Sequence, residues 1–250
     1  MTPANSILHA VPGLLEYAAT LAPETPGERA ERAQREQQRE RDEATAARLA
    51  TLDAILRHRG VPAKHRALII ADKLEPTPAL IRARTWLADA RRVLALMGAP
   101  DAGKTTAASW AAAQEPSAAD LRLWTPRTGL PAVVFLPAED LAGAWQARRE
   151  RDPISRRTLA ELRDCWLLVI DDLGQEPGIV AGMVGEAVDI LVRRRSDDGL
   201  RTLITSNLAT PAALGGRYPD RGQRLHESML EHGYFTPVPP EGRRRRRTAQ

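Results

Sequence analysis

Lysine is scarce in this chain: Lys64, Lys73 and Lys104 are the only three among 36 basic residues, and arginine supplies the rest. Cysteine is scarcer. The single Cys165 excludes an intramolecular disulfide framework and a cysteine-rich zinc site. Its neighbours Trp166, Leu167 and Leu168 mark it as a small core residue rather than a nucleophile. The five histidines are scattered, without the spacing of a metal-binding pair. Aromatic residues make up only 4%, so leucine, alanine, valine and isoleucine must build the core. No apolar run approaches the ~20 residues of a membrane span. Pro12 and Gly13 break the apolar stretch from Ile7 to Leu15 that a leader peptide would need intact. The expectation is a cytoplasmic protein without a membrane partner. At 250 residues, 43% hydrophobic and 27% charged, the chain can bury one α/β core and carry an appended segment.

The net charge of +4 is local. Arg243 to Arg247 supply five positive charges, and without them residues 1–242 hold 31 basic against 32 acidic residues. Such a tail is either a solvated end or a salt-dependent contact with nucleic-acid phosphates.

What stands out is Gly98-Ala99-Pro100-Asp101-Ala102-Gly103-Lys104-Thr105, which fits G-x-x-x-x-G-K-S/T and follows the apolar run Val93 to Met97. The pattern works as a turn between a buried strand and a helix N-terminus, where backbone N–H groups and the helix dipole face phosphate oxygens. In a chain that builds its surface charge from arginine, Lys104 in the motif position points to phosphate. Residues 98–105, with Thr106 beside them, are therefore the expected nucleotide-binding residues. Downstream, Leu167-Leu168-Val169-Ile170 runs into Asp171-Asp172. A strand buried on both faces delivers such carboxylates to the carboxyl edge of a parallel sheet, where ligands bind. Asp171, with the Thr105 hydroxyl, is the expected Mg2+ holder, and Asp172 the residue that orients or deprotonates an attacking water. Thr202 to Thr205 is a further strand ending at Ser206-Asn207, and Asn207 can donate to a γ-phosphate or to that water.

Helix and strand signals alternate along the chain, which implies a parallel sheet with helices on both faces. Residues 27–43 are nearly all Arg, Glu, Gln and Ala with charges of alternating sign, a solvated helix following a break at Pro23 and Pro26. Leu49, Leu52 and Leu56 then form an apolar stripe that Gly60-Val61-Pro62 ends. Residues 115–131 read as a loop, and Tyr234 to Val238 as an edge strand because of Pro237. The expected domains are a charged helical arm over 1–58 for partner docking, a helical lead-in over 59–91, the core over 92–238 and a basic tail over 239–250.

These motifs resemble the DnaC/IstB-like group of AAA+ ATPases, bacterial helicase loaders and transposition helpers. The likeness rests on Gly98–Thr105, on LLVIDDLG at 167–174, on TLITSNL at 202–208, and on Gly60-Val61-Pro62-Ala63-Lys64, which is similar to the group's G-I-P-x-R. It covers roughly residues 58–243. Arg195 sits where the group usually carries an arginine ahead of its sensor strand. The resemblance implies a P-loop NTPase three-layer sandwich with a parallel five-stranded sheet, ATP and Mg2+ as cofactors, and a homo-oligomer when ATP is bound. It also implies a replicative helicase or transposase as partner, with single-stranded DNA nearby. It further implies a trans-acting arginine in a segment like R-Y-G-E-R-x-x-S-R-L; here Arg217 to Leu225 is one residue shorter, which assigns the role to Arg224 with Arg221 as second choice. Catalysis would then use Lys104, Asp172, Asn207 and Arg224. A nucleotide-sensing adaptor with little hydrolysis is the alternative, because Asp172 is one methylene shorter than the glutamate usual there. A small-molecule kinase is disfavoured, since no arginine-rich lid follows the second strand.

Overall fold

The computed structural model describes residues 25–125, 131–149, 153–218 and 221–238. The apolar patch before Pro23 and the Arg243–Arg247 tail lie outside the described residues. The chain divides into two units, Met1–Thr51 and Leu52–Gln250.

In the first unit the described residues belong to helix α1, Pro26–His58, and are exposed along its whole length to Thr51. Pro26 begins this helix rather than breaking the chain, because a first-turn proline forfeits no hydrogen bond. Thr25 and Glu28 form a reciprocal cap: Glu28 N donates to Thr25 Oγ1 at 3.2 Å and Thr25 N donates to Glu28 Oε2 at 2.8 Å. Pairs one turn apart, Arg35–Glu31 at 3.0 Å and Arg39–Glu43 at 2.8 Å, support a surface that buries no apolar face.

In the second unit α1 ends in a glycine cap. Gly60 has φ 86°, Gly60 N donates to Arg57 O and Val61 N to Leu56 O, each at 3.0 Å, and Leu56 and Val61 are both buried. The Arg59 guanidinium donates to Ala112 O at 2.8 Å and to Gln114 O at 3.2 Å, and pairs with Glu115. Helices α2 (Ala63–Ile70) and α3 (Pro78–Leu87) follow, the latter capped by Thr77, which accepts from Leu80 N at 3.2 Å. Strand β1 (Val93–Gly98) leads through the glycine-rich loop into α4 (Lys104–Ala112). Next come α5 (Asp120–Leu123), β2 (Val133–Pro137), α6 (Ala138–Arg149), α7 (Pro153–Asp164), β3 (Leu167–Leu173), α8 (Gly178–Asp197) and β4 (Arg201–Ser206). Helices α9 (Pro211–Arg217) and α10 (Gly222–His232) lead to β5 (Gly233–Val238).

The sheet order is β2-β3-β4-β1-β5 with every neighbouring pair parallel. All five strands are parallel, and β5 is the edge strand beside β1. Segment β5, carrying Pro237, pairs along the outer side of β1. Alternation along the strands divides the core in two. Val93, Ala95, Met97, Leu168, Ile170 and Ile204 join α6, α8 and α10 on one face. Leu94, Leu96, Leu167, Val169 and Leu203 join α3, α4 and the end of α1 on the other. Two features depart from the sequence reading. A short helix interrupts the loop at 120–123, where Ser117 and Asp120 cap each other. Helices α9 and α10 fill the stretch between β4 and β5 to which the sequence reading gave no elements.

Candidate functional site

The loop from Gly98 to Thr105 joins β1, buried throughout, to α4. Gly103 caps α4 with φ 80°, and a Cβ there would lie 3.0 Å from Thr77 Oγ1, so only glycine fits. No side chain caps this helix end and no acid lies in its first turn, which leaves its N–H groups for an anion. Asp101, exposed at the loop tip, has φ 62°. Lys104 is 5% exposed, and its three donors are all engaged: Nζ donates to Gly98 O at 2.9 Å, Ala99 O at 2.7 Å and Asn207 Oδ1 at 2.9 Å. Burial pushes its pKa down, against the charges of Asp172, Asp171 and Asp101 that hold it up.

The acidic strand end is bent by a bulge. Ile170 pairs with Ile204 and Leu173 with Ser206, so Asp171 and Asp172 together face the single residue Thr205. Thr205 Oγ1 holds both: it donates to Asp171 Oδ1 at 2.6 Å and accepts from Asp172 N at 2.9 Å. Asp172 takes φ 57°, a conformation costly outside glycine but less so for aspartate, and its side chain turns outward. Asp171 stays buried and accepts from Thr105 Oγ1 at 3.1 Å. Burial pushes the Asp171 pKa up, the Asp172 charge adds to that, and the Thr205 and Thr105 hydroxyls oppose it. Asn207 closes the ring: its Oδ1 accepts from Lys104 while its Nδ2 donates to Asp172 Oδ1 at 3.4 Å.

Lys104, Thr105, Asp171, Asp172 and Asn207, which lie far apart in sequence, are thus joined by hydrogen bonds at the carboxyl edge of the sheet. Thr106 faces elsewhere, its Oγ1 3.2 Å from His65 Nδ1. Arg224 is exposed on α10, and no described contact joins it or Arg221 to this cluster. Arg195 does not reach it either. Its guanidinium is fully buried at the opposite end of β4, donating to Leu162 O at 2.9 Å, Arg163 O at 3.0 Å, Cys165 O at 2.9 Å, Arg201 O at 2.5 Å and Thr202 Oγ1 at 3.0 Å. It therefore closes the C-terminus of α7 as part of the core. Thr205 escaped sequence reasoning, since nothing marks a strand threonine as the partner of a bulge.

A hydroxyl and one carboxylate 3.1 Å apart, beside a phosphate-type loop, suit Mg2+, which takes one or two protein oxygens and completes its shell with phosphate and water.

No protein-family model and no curated protein matches the chain. Its likenesses are among solved structures. A candidate primosome component from Streptococcus pyogenes serotype M3 superposes with a TM-score of 0.51 at 17% identity, over 76% of this chain and 98% of that one. The chain shares the fold of that protein. Two weaker likenesses are the DnaC helicase loader, at TM-score 0.48 and 20% identity over 66% of this chain and 93% of that one, and AMPPCP-bound DnaA from Aquifex aeolicus. The DnaA match has TM-score 0.45 and 15% identity over 63% of this chain, which spans only 44% of that one. In this fold the strand order sets β1 and its loop between β4, which carries Asn207 at its end, and β5. Among the described residues no helix is long and apolar enough to cross a membrane.

Proposed function

We propose that this AAA+ chain is an ATP-binding and ATP-hydrolysing switch that assists DNA replication or transposition by acting on a partner such as a replicative helicase or a transposase. One observation carries the reading: a single hydrogen-bonded ring of Lys104, Asn207 and Asp172, tied through Thr205 to Asp171 and Thr105, at the end of the phosphate-type loop. The free N–H groups of α4 and the loop receive the β- and γ-phosphates. Lys104 reaches a phosphate oxygen by giving up one of its three acceptors, and Asn207 is the one carried on a side chain. Thr105 and Asp171 would hold Mg2+, which when bound neutralises charge on the β- and γ-phosphate oxygens.

Released from Lys104, Asn207 can hold the γ-phosphate or the water. Asp172 orients that water and accepts its proton as the new oxygen–phosphorus bond forms and the bond to the β-phosphate oxygen breaks, giving ADP and phosphate. Arg224 from a neighbouring copy, with Arg221 as second choice, spreads positive charge over the transferred group. We place replication ahead of transposition because of the likeness to a candidate primosome component. The helical arm serves the partner, and single-stranded DNA lies against basic residues.

The test measures ATP binding and phosphate release with and without single-stranded DNA. Lys104→Ala is expected to lose both. Asp172→Asn is expected to keep its affinity while turnover falls about 100-fold or more, as for loss of a general base. Wild-type release no faster than that of Lys104→Ala would overturn the enzyme reading. If ATP were still bound, it would leave a nucleotide-sensing adaptor.

A second prediction follows from Asp171. Because burial raises its folded-state pKa, its favourable contribution exists below the ordinary carboxylate value and is lost as pH rises through the raised one. At neutral pH the ionised group is a net cost. Asp171→Asn keeps an acceptor for both threonines and removes the charge. Urea unfolding at pH 7 should therefore show unchanged stability or a gain of up to about 1 kcal/mol. The Mg2+-dependent part of the thermal shift given by ATP should disappear.

A further inference from the structure

Immediately beyond the acid pair, the chain makes a contact that the chemistry above does not use. Glu176 is 3% exposed, yet its carboxylate is fully engaged. Oε2 accepts from Gly174 N at 2.8 Å, Oε1 accepts from the Tyr218 hydroxyl at 2.9 Å, and the Arg217 guanidinium lies 3.2 Å from Oε1. Arg217 also donates to the Glu176 carbonyl oxygen. Tyr218 is 1% exposed, and its ring occupies the space a Cβ at Gly185 would need, 2.9 Å from its Cδ1. Its carbonyl oxygen accepts from Arg221 N at 3.1 Å and Gly222 N at 2.5 Å, which fixes the start of α10. One tyrosine therefore grips the acidic loop with its hydroxyl and the start of α10 with its backbone.

Stability alone does not call for this arrangement. A buried ion pair is commonly matched by apolar residues of the same volume, since both charges must be desolvated. What an ion pair with fixed hydrogen-bond directions adds is orientation. Only Gly174 and Gln175 separate Glu176 from Leu173, the residue after Asp172, and Leu173 O accepts from Ser206 Oγ at 2.6 Å. A short, hydrogen-bonded stretch thus joins Asp172 to Glu176 and, through Tyr218, to the start of α10.

We propose that Glu176 and Tyr218 are positioning residues that couple a nucleoside triphosphate at the acid pair to the orientation of α10, so that Arg221 and Arg224 are presented to a second copy of this chain only when that ligand is held. This rests on the ATP-switch reading. The coupling runs within one protomer, while its effect is read in the neighbour's site.

The experiment uses the full chain, Mg2+ and ATP. Tyr218→Phe removes only the hydroxyl, and Glu176→Gln keeps an acceptor but loses the charge. Affinity, kcat and amide hydrogen exchange over 221–232 are measured with and without ATP. Wild type is expected to change its exchange in α10 when ATP binds. Tyr218→Phe should bind ATP within about twofold of wild type. Its α10 response should be lost and its kcat lowered about tenfold or more, the scale of a displaced positioned group. Glu176→Gln should fall between. A Tyr218→Phe protein with normal kcat and a normal α10 response would overturn the proposal, as would a parallel loss of affinity and kcat. A wild type that binds no ATP would overturn the switch reading and this coupling together, whereas normal binding with an unresponsive α10 overturns the coupling alone.

Discussion

Arg195→Met is expected to destabilise the chain by roughly 3–4 kcal/mol, measured by urea unfolding, and to lower its melting temperature by on the order of 10 °C. The guanidinium is fully buried, and its donors serve carbonyl oxygens from the end of α7, the entry to β3 and the start of β4. Methionine keeps the stem and leaves those oxygens facing a space without donors. Part of the loss is returned because a desolvated charge has gone, and burial already pushes the Arg195 pKa down. That return is smaller than the loss, since unpaired buried acceptors cost about 1–3 kcal/mol each. Arg195→Lys recovers only part of the stability, because a single ammonium cannot face the α7 carbonyls and Thr202 at once. Nucleotide affinity at saturating fold should be unchanged in both variants, because the residue lies at the far end of β4 from Asn207. A variant as stable as wild type would remove Arg195 from the core.

Gly60→Ala should cost about 3 kcal/mol. The left-handed conformation that ends α1 costs a non-glycine residue about 1–2 kcal/mol. A Cβ there would also sit 2.2 Å from Phe135 O, a backbone atom of β2. Separating the two means losing the 2.7 Å bond from Phe135 N to Arg59 O, worth about 1 kcal/mol. Arg59 would then carry its guanidinium away from the last carbonyls of α4. Gly143→Ala is the contrasting variant: it lies in α6 with nothing within 4 Å of the added Cβ, and a gain of about 0.5–1 kcal/mol is expected. Unfolding both variants in urea checks the pair, and equal midpoints would show that the glycine cap is not needed.

The alternation of Leu94, Leu96 and their neighbours across the sheet, the loop before α4 and the helix stop at Gly60 were legible because each depends on local rules of period, turn or cap. The cluster of Lys104, Asp171 and Asn207 was legible for a related reason: strand ends at one edge of a parallel sheet must converge. Thr205, Glu176 and Tyr218 were not, since their roles come from partners 33 to 42 residues away that no local rule brings together. Arg195 was illegible in another way. Its place before a strand matched the resembled group's arginine and gave no sign of its partners, the carbonyl oxygens at the end of α7. Helices α9 and α10 lie in a stretch that the sequence reading left without assigned elements.

The bulge at Asp171-Asp172 also bears on how this chain can change. The strand is one residue longer there than β4 requires, so the ladder is interrupted on that side, while Asp171 still pairs with Pro137 of β2. Sheet cohesion comes from the residues before it, Leu167 to Ile170, which are paired on both sides. An Asp172→Asn copy, which keeps its ATP, is expected still to fold and still to present its arm and α10. Mixed into an assembly, such a copy would act as a silent subunit, able to complete a neighbour's site while its own stays inert. Doping wild type with Asp172→Asn subunits thus becomes a way to count how many working copies an assembly needs.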